Sequence, residues 1–185
     1  MKVENGQKVS LILRTAVILA MIALSAVLRI VPHPWNLTPV GAMALFSGAV
    51  VCDRRLAFLF PLLALFVGDL FVGLHVLIPI VYASFLINVA LGLWLRDRRT
   101  TPRIAALALL GSIQFFLITN FGVWAFLGSF PRTIAGLITC YIAGLPLFWN
   151  TLAGDALYAA LLFGGFALAE HTFPALREHA PSAAR

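Results

Sequence analysis

Long apolar blocks alternate along the chain with short polar or proline-containing breaks. Six blocks are predicted to form membrane-spanning helices, at residues 11–31, 39–51, 56–73, 76–95, 104–127 and 151–169. A helical span needs about 20 predominantly apolar residues, and hydrocarbon admits only segments whose backbone groups are bonded internally. The pattern predicts an all-α, polytopic membrane helix bundle with six transmembrane helices in one domain, residues 1–179, before a disordered tail at 180–185.

A further apolar block, residues 133–148, is short and is interrupted by two glycines and a proline. With six spans and both termini in the cytoplasm, 11 of the 13 Lys and Arg residues lie inside, and only Arg29 and Arg132 lie outside. A seventh span would move Arg177 and Arg185 outside, against the usual excess of basic residues in cytoplasmic loops. The block is therefore predicted to be a helical outer loop between spans five and six.

Composition supports lipid as the main solvent of the chain. Of the 185 residues, 62% are hydrophobic and 11% are charged. Soluble domains average roughly 45–50% apolar residues and about 25% charged residues. The basic residues that give the net charge of +6 lie beside apolar segments, and the orientation of the chain in a membrane explains them. The lipid bilayer is therefore the expected partner, and nucleic acid is not. The spacing of Cys52 and Cys140 fits no metal motif, and no cofactor or metal is expected.

Polar residues concentrate near the predicted outer ends of the spans. Asp69 lies near the outer end of the third span and Asp155 near the outer start of the sixth, and charges inside spans are functional by default. The other candidates for a small-molecule substrate site are His33, Trp35, Asn36, His75, Tyr82, Asn120, Trp124, Arg132, Tyr141 and Asn150. Aromatic rings can stack on a ligand while a few polar groups orient it.

Each type of candidate residue also has an ordinary structural role. Tryptophans anchor helices at membrane interfaces, aspartates cap helix ends, and histidines in loops are often only solvated. The group is more informative than its members, because chance would scatter these residues over both sides of the membrane.

The first span carries small residues on one face, at Ala16, Ala20 and Ala23. Small residues at this spacing let a second helix approach closely. The sequence leaves open whether that helix belongs to a partner subunit or to a neighbouring span of the same chain.

Three stretches, residues 32–42, 119–124 and 150–155, resemble an uncharacterised family of small bacterial membrane proteins. More loosely, the chain resembles the S components of energy-coupling-factor vitamin transporters, in which an AxxxA pattern on the first span docks the transmembrane coupling subunit. Ala16 and Ala20 match that pattern. The resemblance implies an outward-facing substrate site in the bacterial inner membrane and a possible coupling-factor partner.

Among such proteins, the chain is most similar to the BtuM-type cobalamin transporters. His33, Asp69, His75 and Tyr82 occupy positions matching a histidine, an aspartate, a cobalt ligand and a tyrosine of that group. The second outer loop has no cysteine here, and His75 is the available substitute, since imidazole suits such metals. This departure weakens the case for cobalamin and for reductive chemistry.

The expected function is therefore transport: capture of a small, vitamin-like organic nutrient, with cobalamin as one candidate, by a protein that is not an enzyme. The alternatives are an intramembrane enzyme and a structural membrane subunit. Two carboxylates and histidines suit acid–base chemistry, but no nucleophilic serine lies beside a base and no metal-site spacing occurs.

Overall fold

The computed structural model describes residues 2–31 and 34–176, without the side chains of residues 2–9, 30 and 72. Within these ranges the chain forms six α-helices and no strand, which confirms the all-α prediction. The helices are α1 (Lys2–Ile30), α2 (Val40–Val50), α3 (Arg54–Val72), α4 (Ile78–Leu95), α5 (Thr101–Phe126) and α6 (Ile134–Thr172), followed by a 3-10 turn, Pro174–Leu176. The predicted tail at 180–185 lies outside the described residues.

Four of the described helices are long and apolar enough to cross a membrane: α1 over Ser10–Arg29, and α4, α5 and α6 over their full lengths. Helix α2 is shorter, and α3 contains three charged residues. Large apolar side chains cover much of the outer surface, for example Ile12, Phe71 and Leu168. Exposed apolar area of this extent is rare in soluble monomers, so the bundle is consistent with a membrane protein.

Helix α2 lies at the centre of the bundle, and all 11 of its residues are buried. It packs most extensively against α4 and also contacts α1, α3, α5 and α6. At 1.5 Å per residue it is about 16 Å long, roughly half the thickness of a hydrocarbon core. Helix α2 is therefore too short to reach both surfaces of a bilayer by itself.

Close contact between α2 and α4 depends on a pair of glycines. A β-carbon added at Gly48 would overlap the carbonyl oxygen of Val89, and one added at Gly92 would overlap the carbonyl oxygen of Leu45. The two backbones therefore touch directly, as small residues permit in membrane helix pairs.

The C-terminal end of α2 is held by Arg96, which follows α4. Its Nε donates to the Gly48 carbonyl oxygen at 2.8 Å and its Nη1 to the Cys52 oxygen at 3.1 Å. Its Nη2 donates to the Val51 oxygen. The last carbonyls of a helix have no partner within the helix, and a cation at this end also interacts favourably with the helix dipole.

Helices α5 and α6 form a long antiparallel hairpin, and this corrects one prediction. Residues 133–148 are not a separate surface loop; they form the first part of α6 and pack along the second half of α5. Tyr141 Oη donates to the Leu117 carbonyl oxygen at 2.8 Å, and Gly144 lies against Asn120. Pro146 lies inside the helix without ending it, because α5 packs on both sides of the position where the proline removes a backbone donor.

The two described chain ends meet at one end of the bundle, here called the terminal end. Buried Arg14 of α1 pairs with Glu170 at 3.3 Å and donates to the Leu176 carbonyl oxygen at 3.1 Å. Ser10 Oγ donates to the Ala175 oxygen. These contacts join the start of the bundle to its last helix.

Replacing Arg96 with alanine should destabilise the protein, because three carbonyl oxygens at the end of a buried helix lose their donor. Hydrogen bonds to charged groups contribute about 1.5–3 kcal/mol each to stability, and partial replacement by water leaves an expected total loss of about 3 kcal/mol. The measurement is thermal unfolding of purified protein in detergent. Arg98→Ala is the matched control, since this nearby arginine is exposed; equal effects of the two substitutions would contradict the capping role.

Candidate functional site

A cavity of about 560 Å³ lies at the end of the bundle opposite the terminal end, here called the cavity end. Its volume falls within the roughly 300–1,000 Å³ typical of small-molecule sites. The end of α1, the segment before α2, the α3–α4 loop and parts of α4, α5 and α6 supply its walls. The lining residues are Arg29, Val31, Trp35, Asn36, Thr38, Val40, His75, Val81, Phe85, Phe115, Phe116, Thr119, Asn120, Val123, Leu147, Phe148 and Thr151.

Aromatic rings form much of the cavity wall. The rings of Phe85 and Phe115 lie 5.1 Å apart, and those of Phe116 and Phe148 lie 4.8 Å apart. Trp35 is 83% exposed at the rim. Such walls suit a ligand with flat apolar rings, because aromatic pairs add stacking energy to the burial of apolar area.

One wall of the cavity contains an ion pair between helices. Arg29, in the last turn of α1, pairs through Nη2 with Oδ1 of Asp69 on α3. Tyr82 Oη on α4 donates to the other carboxylate oxygen at 2.7 Å. Asp69 is 1% exposed, and only Arg29 of the three lines the cavity. Arg29 therefore separates the buried carboxylate from the cavity.

The segment before α2 forms part of the rim and is held by backbone contacts. Asn150 Nδ2 donates to the Trp35 carbonyl oxygen at 2.9 Å, and the Leu37 N–H donates to the Pro34 oxygen at 3.0 Å. Asn36 has φ 63°, a left-handed conformation that asparagine tolerates better than most residues. This turn directs the segment over the cavity and into the start of α2.

A small polar pocket of about 30 Å³, here called the pit, lies beside the main cavity. Its lining residues are Asn36, Thr38, Gly41, Phe85, Asn88, Phe115, Thr151 and Asp155. Five of them, Asn36, Thr38, Phe85, Phe115 and Thr151, also line the cavity. The pit is therefore adjacent to the cavity and shares a wall with it.

Asp155 in the pit also holds the N-terminal end of α2. Its Oδ2 accepts a hydrogen bond from Ser112 Oγ at 2.7 Å, and the carboxylate accepts another from the Ala42 backbone N–H. A β-carbon at Gly41 would overlap this carboxylate. Carboxylates are favourable at helix N-termini, so Asp155 has the capping role that the sequence left open.

A hydrogen-bond network beside the pit joins α4 to α5. Gln114 Nε2 donates to Asn88 Oδ1 and to the Ser84 carbonyl oxygen, both at 3.0 Å. Ser84 Oγ donates to Gln114 Oε1, also at 3.0 Å. The three side chains thus meet much of their hydrogen-bonding need within the network. The bond from Gln114 fixes the position of Asn88, which lies at the edge of the pit.

The predicted site residues fall into five groups. Trp35, Asn36, His75 and Asn120 line the cavity. Asp69 and Tyr82 lie behind Arg29. Asp155 lines the pit, and neither aspartate lines the main cavity. Trp124, Arg132, Tyr141 and Asn150 lie outside both linings, and His33 lies outside the described residues.

Three of the four residues outside the linings hold the backbone in place. Trp124 Nε1 donates to the Pro131 carbonyl oxygen at 3.0 Å, and Tyr141 and Asn150 make the backbone contacts described above. Arg132 is exposed on the α5–α6 connection. Substrate binding by these residues stays a prediction.

Arg29 is the main residue that the sequence did not single out as a site candidate. It is a charged residue at the end of an apolar span, which is a signal of function by itself. Its partner could not be identified, because the sequence does not show that α1 lies next to α3.

Potential metal ligands are dispersed in the described part of the chain, where no group of three or more His, Cys, Asp and Glu side chains converges. Cys52 is exposed, and buried Cys140 places its Sγ 3.4 Å from the Asn120 carbonyl oxygen. His75 lines the cavity without a second such side chain beside it in that lining.

The helical bundle and its apolar surface are consistent with a membrane protein. The family profile DUF6580, described as a family of unknown function, matches residues 10–176, and the chain belongs to this family. No curated protein and no solved structure matches the chain. The match agrees with the expected uncharacterised family; the likeness to S components and cobalamin transporters stays a prediction.

Replacing Arg29 with methionine should destabilise the protein strongly, since Asp69 would become a buried carboxylate without its cation. Breaking a buried pair by removing one partner costs about 3–5 kcal/mol. Adding Asp69→Asn to Arg29→Met should restore part of the loss, because the uncompensated charge is then removed. Thermal unfolding of the wild type, both single variants and the double variant forms the cycle, and purely additive effects would show that the pair does not interact.

Proposed function

We propose that the protein is a membrane transport protein that captures a small organic molecule in the cavity. The observation that carries this proposal is the cavity itself, with its aromatic walls, its few polar groups and its exposed rim at Trp35 and His75. A concave, mostly apolar site with a small number of polar groups is the usual form of a ligand-binding site.

The size and lining of the cavity favour a vitamin-like ring compound. The volume of about 560 Å³ is that of sites for drug-sized ligands. A corrinoid as large as cobalamin would extend beyond these walls, so cobalamin is the less favoured ligand. Stacking on Phe116 and Phe148 would hold a ring, and Thr119 and Asn120 offer polar contacts on the same side.

Charge distribution supports an outward-facing cavity. Among the described side chains, the arginines near the terminal end are Arg14, Arg54, Arg55, Arg96, Arg98, Arg99 and Arg103, whereas Arg29 and Arg132 lie near the cavity end. Basic residues concentrate on the cytoplasmic side of membrane proteins. We therefore place the terminal end in the cytoplasm and the cavity on the outer side of the bacterial inner membrane.

The free face of α1 supports docking of a coupling-factor transmembrane subunit. Ala16, Ala20 and Ala23 are exposed, whereas Ile18 and Ile22 face the bundle core. The alanine face is therefore not used for packing within this chain, and a partner helix has access to it. This arrangement fits an S-component-like protein that captures substrate and depends on a partner for energy.

Filling the cavity should abolish ligand binding without unfolding the protein. Val123 lines the cavity, whereas Leu117 on the same helix is exposed on the outer surface. Purified wild type and Leu117→Trp should bind a member of a panel of vitamins and related ring compounds. Val123→Trp should bind it at least about tenfold more weakly, because overpacking removes the space for a ring. Binding is measured by calorimetry.

Two results would count against the transport proposal. One is the absence of binding by the wild type across the panel, together with unchanged uptake of these compounds in a deletion strain. The other is equal binding by Val123→Trp and Leu117→Trp, which would place the ligand elsewhere.

A further inference from the structure

The pit contains a buried carboxylate without a cation. Asp155 is 4% exposed, and the ion pairs found among the described side chains join Arg14 to Glu170 and Arg29 to Asp69. A buried charge is costly unless it is paired or hydrogen-bonded. Asp155 has two hydrogen bonds, from Ser112 and from the Ala42 backbone, but no described group of full positive charge faces it.

The position of Asp155 decides whether the pit favours a positively or a negatively charged ligand. A helix N-terminus carries about half a positive charge and attracts anions, but the carboxylate of Asp155 already occupies this place at α2. The partial positive charge at the N-terminus of α2 offsets only part of the negative charge of Asp155, so the side of the carboxylate that faces the pit stays negative. A cation is therefore favoured in the pit and an anion is disfavoured.

The other polar groups of the pit are neutral. Thr38, Thr151, Asn36 and Asn88 also line the pit, and none of these side chains is charged. Thr151 Oγ1 donates its proton to the Leu147 carbonyl oxygen at 3.0 Å, so its lone pairs remain available as acceptors. One formal negative charge among neutral side chains matches a single positive charge.

The volume of the pit limits the size of the cation. Its roughly 30 Å³ exceeds the approximately 10–15 Å³ needed for one water molecule, and it has room for one or two groups of that size. A monovalent metal ion or a primary ammonium group fits, whereas a quaternary ammonium group does not.

We propose that the pit binds one small monovalent cation against Asp155, either a free ion such as Na⁺ or the primary ammonium group of the molecule in the cavity. A cation bound there touches residues that also line the cavity. The ammonium alternative rests on the proposed ligand capture, whereas the free-ion alternative stands without it.

The test is thermal unfolding of the full-length protein in detergent, with sodium, methylammonium or choline chloride at equal ionic strength and without any cavity ligand. Binding to the folded state raises the unfolding midpoint. The wild type should be stabilised by sodium or methylammonium relative to choline, by about 3 °C or more. A shift with sodium identifies a free-ion site, and a shift with methylammonium alone identifies an ammonium site.

Asp155→Asn should lose this cation-dependent shift, because it removes the charge and keeps an oxygen for Ser112 and Ala42. Asp97→Asn is the control and should keep the shift, since Asp97 is an exposed carboxylate near the terminal end, away from the pit. Thr151→Val, a nearly isosteric change, should weaken the apparent cation affinity about fivefold through loss of one oxygen; it serves as the second variant if Asp155→Asn does not fold.

The inference is overturned if neither cation shifts the wild type, or if Asp155→Asn or Thr151→Val responds as the wild type does. These results are independent of the cavity test, which uses ring compounds and Val123→Trp. Failure of the cation shift would leave ligand capture in place, and failure of ring binding would leave a sodium-dependent shift in place.

Discussion

The structure depends on satisfying both ends of one short helix inside the bundle. Helix α2 is entirely buried and about half as long as a bilayer is thick, and the first and last backbone groups of a helix have no partner within it. Asp155 of α6 accepts from the N-terminal end, and Arg96 beyond α4 donates to the carbonyls of the C-terminal end. Because the two caps come from different helices, α2 fixes the position of both neighbours.

The short length of α2 also explains why the bundle has a cavity. The helix begins at Val40, well inside the bundle, and the space beyond its N-terminus is left to loops and to the aromatic side chains of α4, α5 and α6. The ion pair of Arg29 with Asp69 closes one wall at the point where α1 meets α3. The cavity and the pit are thus two parts of the space that α2 does not fill, which is why the same residues line both.

The positions of the helices along the chain were largely predictable from the sequence, whereas the helices that pack against each other were not. The apolar blocks at 76–95 and 104–127 agree with α4 and α5 to within a few residues, because membrane-type helices appear as continuous apolar segments. The prediction of a separate loop at 133–148 was wrong, since it rested on the distribution of basic residues, and the sequence does not show that this block continues into α6. Trp35 and His75 were correctly placed at one end, but the pairing of Arg29 with Asp69 depends on a contact between segments 40 residues apart.

Under the proposed function, the cavity is accessible to water from the outer side of the membrane. The most direct test is to label cysteines from one side of the membrane in intact cells. The background variant is Cys52→Ser, and it carries one added cysteine, either Thr119→Cys in the cavity or Arg98→Cys near the terminal end. A maleimide that cannot cross the membrane should label Thr119→Cys in intact cells and label Arg98→Cys only after the cells are opened. Labelling of Arg98→Cys from outside, or a Thr119→Cys that reacts from neither side, would contradict the account.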